Sequence, residues 1–222
     1  PFGGEHDTQE ERAAFKILDT YIKQYPAEYH AQTAVEAALS LREDLLKSEG
    51  EQALAAITDV ELGSYDVAIE IIGRDPEKWH PRTRETADHS LPYCVAVSLM
   101  DGAVTRRSFD KKRLAYAALS SLIHKIRVIR QPEFIGRYPQ ALPTRVTVRT
   151  QSGKDYVKQV DYPLGHPRNP MPDHDVEKKF LRLAAGPVGR ARARQMIDLV
   201  WQLDQVQDIS ALMPLLRVKR KG

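Results

Sequence analysis

RETADHSLPYCVAVSLMDG, residues 84–102, opens polar and then turns apolar, and the rest of the chain is read outward from it. Glu85, Thr86, Asp88 and His89 crowd four hydroxyl or ionisable groups together. Ser90 then suits an N-cap, with Pro92 in the first turn, where a missing N–H costs least. Tyr93, Val95, Ala96, Val97, Leu99 and Met100 form an apolar run, and Asp101-Gly102 stops it. The pattern predicts a buried helix with proton-bearing groups at its mouth. A helix N-terminus favours anions, so this mouth suits a carboxylate. His89 exchanges protons near neutral pH, and Tyr93 lies one turn further in. Arg84 is a further candidate carboxylate ligand, although most arginines in such loops are solvated.

Upstream, Thr8 and Glu11 have the spacing of a capping box, and Ala13, Ala14, Ile17, Leu18, Tyr21 and Ile22 keep a helical period. Pro26 ends this helix and pushes Lys23-Gln24-Tyr25 toward an extended exit. A second helix is expected over His30–Lys47. Its apolar stripe is Ala31, Ala34, Val35, Ala38, Leu41, Leu45 and Leu46, and its exposed side carries Glu36, Arg42, Glu43 and Asp44. His30 at its start reads equally as a capping histidine and as a substrate-binding group. Ile57–Leu62 suits a strand, with Ile57, Asp59 and Glu61 on one face and Thr58, Val60 and Leu62 on the other. Gly63-Ser64 breaks it, and Val67, Ala68, Ile71 and Ile72 return to helical spacing. Trp79 in the loop before Arg82 reads as a packing anchor.

Downstream, a helix is expected from Ser108 or Asp110 through Leu122. Ile126, Val128 and Ile129 then suggest a strand. TRVTVRT, residues 144–150, alternates cleanly, and Gln151–Lys154 turns it back into Tyr156, Val157 and Val160. Strands bunched late, with helices between, predict an α+β fold: a two-layer sandwich of about four mostly antiparallel strands packed by helices. Four prolines between Tyr162 and Asp173 mark a boundary. Beyond it, helices are expected either side of Gly186-Pro187. The expected division is a leading helix over 1–19, an α+β domain over 20–166 and a helical extension over 167–222.

The 222 residues are 42% hydrophobic and 28% charged, which suits a globular chain with one sizeable core. A net charge of +3 calls for no polyanionic partner such as nucleic acid. One cysteine, Cys94, rules out an internal disulfide and reads as a small core residue. No apolar run nears the ~20 residues that span a bilayer, and no secretory signal is visible, so a cytoplasmic location is expected. There is no P-loop, dinucleotide fingerprint, HExxH or zinc-type histidine pairing, and no metal or cofactor is expected.

Three segments carry a family resemblance. ETADHSLPY followed by DGAVT resembles the C-terminal half of the 2-methylcitrate dehydratase (MmgE/PrpD) family, which also includes cis-aconitate decarboxylase and iminodisuccinate epimerase. IKQYPAEYHAQTAVEAA, residues 22–38, and YPLGHPRNPM, residues 162–171, resemble the same family in the same order. The resemblance implies a lid-type domain, a homodimer and a cofactor-free hydro-lyase acting on a small polycarboxylate. It also implies active-site roles for Lys23 and Tyr93, with His89 beside them. Lys23, otherwise a solvated charge, becomes the carboxylate partner or proton carrier, Tyr93 the proton donor or a hydrogen-bonding group, and His89 the residue that orients Tyr93 or the helix mouth. His30 and Arg84 are the candidate substrate-binding residues. The family's N-terminal all-helical domain has no counterpart here, so the implied enzyme needs that domain or a partner chain to supply it. The alternatives are a non-catalytic polycarboxylate-binding subunit, or a decarboxylase or epimerase on the same scaffold.

Overall fold

The computed structural model describes residues 16–218, in two compact units: Lys23–Asn169, and the terminal segments up to Ile22 and from Pro170 onward. Most of the expected leading helix lies outside the described residues, and Lys16–Asp19 is a short 3-10 turn.

In the unit Lys23–Asn169, a 3-10 turn at Tyr29–Ala31 leads into helix α1, Gln32–Glu49. Strand β1 is Ile57–Ser64, followed by a helical turn at Asp66–Ala68 that widens into a π-turn over Ile69–Gly73. Helix α2, Arg84–Asp88, precedes α3, Leu91–Asp101. Helix α4 is Ala117–Ile123, and the strands β2, β3 and β4 are Ile126–Arg130, Thr144–Thr150 and Asp155–Val160.

The sheet order is β2-β1-β3-β4. It is mixed rather than mostly antiparallel: β1 pairs parallel with β2, while β1–β3 and β3–β4 are antiparallel. The reason is topological. Parallel strands need a long crossover, and the helices between Asp66 and Ile123 supply one. The expected face of β1 also shifts by one residue. A bulge between Ile57 and Asp59 lets Ile57 turn inward with Val60 and Leu62.

Helix α1 packs across β3 and β4, and α3 packs on α1. Leu41, Leu45, Val60, Leu62, Val95, Leu99, Val146 and Val148 are among the residues that fill the core between them. The other face of the sheet carries charge. Arg127 Nε lies 3.0 Å from Asp59, and Arg149 Nη1 lies 2.6 Å from the same carboxylate. One covered and one polar face make the two-layer α+β arrangement. Glu36, expected on the exposed side of α1, is half-buried and accepts a hydrogen bond from the Leu164 amide at 2.6 Å. Burial holds its carboxyl above the usual glutamate range.

In the other unit, helices α5, Asp173–Val188, and α6, Arg190–Trp201, pack on each other. Glu177 accepts from Arg194 Nη1 at 2.7 Å and from Trp201 Nε1 at 2.9 Å. The break expected at Gly186-Pro187 falls at Gly189, whose φ of 88° only glycine adopts at low cost. Pro187 sits in the last turn, where its missing donor removes a single helical bond. No helix among the described residues is long and apolar enough to cross a membrane.

Candidate functional site

The stretch at residues 84–102 folds as its local signals dictate. Thr83 caps α2 by accepting from the Thr86 amide at 3.1 Å, and Ser90 caps α3 by accepting from the Tyr93 amide at 3.1 Å. Gly102, at φ 67°, ends α3 in the left-handed region. The mouth of α3 is sealed, however. Ser90, Leu91, Pro92 and Tyr93 are all buried, and the Ser90 hydroxyl donates to the Lys78 carbonyl. The expected carboxylate cradle at this helix end is therefore closed to a ligand, because the neighbouring Pro76–Trp79 turn caps it from above.

Tyr93 points into the core. It is 1% exposed, its hydroxyl donates to the Ser108 carbonyl at 2.7 Å, and its ring packs on Phe109. Burial raises its phenol well above the usual tyrosine range. Cys94, next to it, is wholly buried and its thiol is likewise pushed up by burial. His89 and Arg84 lie on the exposed side of α2. His89 Nδ1 sits 2.6 Å from Asp88 and 3.1 Å from the Glu85 carbonyl.

The segment 23–30 meets this stretch through its backbone: the Glu28 amide donates to the Asp88 carbonyl at 2.8 Å. Pro26 denies this loop regular hydrogen bonding, and the buried side chain of Gln32 compensates. Gln32 accepts from the Tyr25 amide at 3.0 Å and donates to the carbonyls of Tyr25 and Ala27 at 3.1 and 3.2 Å. Lys23 stands exposed at the start of the loop, its ammonium donating to the Ala27 carbonyl at 3.1 Å. Glu28 accepts from the His30 amide at 2.7 Å.

His30 is the best-built histidine in this unit. It is 8% exposed, and its Nδ1 lies 2.5 Å from the Tyr65 hydroxyl. The Tyr65 and Tyr138 rings flank it at 5.7 and 5.4 Å and stack on each other at 5.3 Å and 11°. Tyr65 is buried against Ala68, Phe134 and Leu142, whereas Tyr138 faces solvent. Burial, with Glu28 adding to it, raises the Tyr65 phenol far above its usual range, so it stays a donor. Burial lowers the His30 imidazole, and the nearby Glu28 carboxylate opposes this. A neutral imidazole that accepts at Nδ1 carries its proton on Nε2, where it serves as a donor.

The structure thus joins Lys23 and His30 in one braced loop and ties that loop to Asp88, next to His89. It gives Tyr93 separate surroundings. Tyr65, Tyr138 and Glu28 escaped the sequence reading. The position of Tyr65 just past the strand-breaking Gly63-Ser64 was the available signal, since chain reversals at strand ends often carry functional residues. Among the described residues, no cluster of three or more His, Cys, Asp or Glu side chains is arranged to hold a metal.

Residues 25–205 match the model of the MmgE/PrpD C-terminal domain. The chain is 31% identical to 2-methylcitrate dehydratase of Escherichia coli (strain K12) over 163 residues, covering 71% of this chain and 32% of that protein. It is 33% identical to 2-methylcitrate dehydratase of Cupriavidus necator over 151 residues, covering 65% and 30%. It is 24% identical to cis-aconitate decarboxylase of Mus musculus over 204 residues, covering 90% and 40%. The chain spans about a third of the length of the curated dehydratases it matches. The chain belongs to the MmgE/PrpD family, through its C-terminal domain.

Proposed function

We propose that this chain supplies the Lys23–His30 side of the active site of a cofactor-free lyase of the 2-methylcitrate dehydratase type. The observation that carries the proposal is the buried His30–Tyr65 pair beside the braced Lys23 loop. Removing water from a hydroxy-tricarboxylate takes a proton from the carbon beside a carboxylate, forms a carbon–carbon double bond, and breaks the C–OH bond. The departing oxygen takes up a proton and leaves as water. Such an elimination needs a cation for the carboxylates, a donor for the leaving oxygen and a base. In this reading Lys23 pairs with a substrate carboxylate, and His30 presents its Nε2 proton to the substrate. Tyr65 fixes the imidazole's tautomer and direction. His89 and Arg84 form a polar rim, and Tyr93 supports the fold behind it. The remaining groups, the base among them, come from the family's N-terminal domain in a cytoplasmic homodimer.

A second reading has its own support. The match to cis-aconitate decarboxylase extends over 90% of this chain, so loss of carbon dioxide on the same scaffold is the alternative. The test mixes this chain with the separately expressed N-terminal domain of a family member and supplies 2-methylcitrate, citrate or cis-aconitate. Ultraviolet absorbance of a new conjugated double bond from 2-methylcitrate supports the dehydratase. Carbon dioxide released from cis-aconitate supports the decarboxylase. Neither product, with citrate binding retained, identifies a non-catalytic polycarboxylate-binding subunit.

A further inference from the structure

Close along the chain to the His30–Tyr65 pair is a cluster of buried hydroxyls that the proposed chemistry does not use. Thr33 Oγ1 and Thr144 Oγ1 are 3.0 Å apart, and Ser64 Oγ lies 3.4 Å from the same Thr144 oxygen. All three residues are fully buried. They come from three elements: Thr33 from the first turn of α1, Ser64 from the end of β1, and Thr144 from the start of β3. Their places relative to the pair are what matters. Thr33 lies one helical turn after His30, and Ser64 directly precedes Tyr65 in the chain. Polar groups in a dry interior must find partners, and here the Thr144 hydroxyl is the shared partner of Thr33 and Ser64. Valine has nearly the shape of threonine, but at either threonine it would strand a buried hydroxyl of this cluster.

We propose that Thr33, Thr144 and Ser64 are positioning residues that set the separation of His30 from Tyr65 and hold the imidazole in its Nε2-protonated form. This rests on the reading of His30 and Tyr65 given above. The groups that face His30 are Glu28 on its own loop, Tyr65 at the end of β1, and Tyr138 on the loop before β3. None of the three hydroxyls touches His30 directly, so their influence passes through the backbone they lock.

The experiment follows the His30 ring nitrogens by NMR on the 222-residue chain labelled with nitrogen-15 histidine, across a pH titration. Thr144→Val is expected to raise the His30 midpoint toward the ordinary histidine value and to mix its tautomers. Thr150→Val is the control. It removes a hydroxyl from the other end of the same strand, where Thr150 donates to Glu49 at 3.1 Å. It is expected to lower the melting temperature and leave His30 unmoved. Should Thr144→Val not fold, Ser64→Ala carries the same expectation. If neither variant moves His30 while Tyr65→Phe does, the positioning proposal is overturned and the pair stands. If Tyr65→Phe also leaves His30 unmoved, the pair and the proposal fall together.

Discussion

Two tyrosines in this fold bury a hydroxyl on a single hydrogen bond, and removing each hydroxyl separates support from chemistry. Tyr65 is 1% exposed and bonds to His30 Nδ1 at 2.5 Å; Tyr93 is 1% exposed and donates to the Ser108 carbonyl at 2.7 Å. Phenylalanine keeps both rings and strands one buried partner in each case. That costs about 1–3 kcal/mol per site, and at about 2–4 °C per kcal/mol for a chain of this size both variants should melt about 2–12 °C lower. Their stability losses are therefore alike. The His30 titration is where they part. The Tyr65 hydroxyl lies on His30 Nδ1: it donates there when that nitrogen is bare, and must turn and accept when that nitrogen is protonated. Tyr65→Phe removes that hydrogen bond, so the His30 midpoint and its tautomer balance should change. Tyr93→Phe leaves both where they are. Urea or thermal unfolding supplies the first quantity, and histidine NMR supplies the second. A Tyr93→Phe chain whose His30 moves as far as that of Tyr65→Phe would refute the division between the two tyrosines. So would a Tyr65→Phe chain whose His30 stays put.

Ser90→Ala removes the cap on the Tyr93 amide and the bond to the Lys78 carbonyl together, and should lower stability by about 1–3 kcal/mol in urea unfolding. Gly102→Ala puts a side chain at φ 67° and its Cβ 2.9 Å from Arg42 Nη1; a loss of about 1–2 kcal/mol is expected, with the flexible guanidinium giving way. Stability should also depend on His30. Its folded midpoint is depressed, so the unfolded chain binds the proton more readily. This contribution is complete above about pH 6.5 and declines as the pH falls below that value, levelling off beneath the folded midpoint. Unfolding curves between pH 5 and 8 check it, and His30→Gln should flatten that slope.

Local chemistry made some elements legible and not others. Ser90, Pro92 and Gly102 bound α3 because caps and stops act within a turn. Likewise β3 and β4 were readable from strict alternation across a short hairpin. The pairing of β1 with β2 was not, since it depends on where a long crossover returns the chain. The inward turn of Ile57 follows from a bulge that only the partner strand reveals. At the site, Lys23 and His30 stood out through the family resemblance of their segment. Tyr65 did not, because its partner lies 35 residues upstream and nothing in GSYD signals a histidine. The Ser108 carbonyl that takes the Tyr93 hydroxyl was not legible either, because a tyrosine at a helix start looks the same whether its hydroxyl meets a ligand or the backbone.

The placement of β1 between β2 and β3 has a consequence for biosynthesis. Both neighbours of this strand are translated after it, and the nearer of them in sequence begins only at Ile126. At about 5–20 residues per second, β1 leaves the ribosome several seconds before either side can be zipped. During that window the β1 backbone has no partner on either side, and only helix α1, already made, can cover Val60 and Leu62.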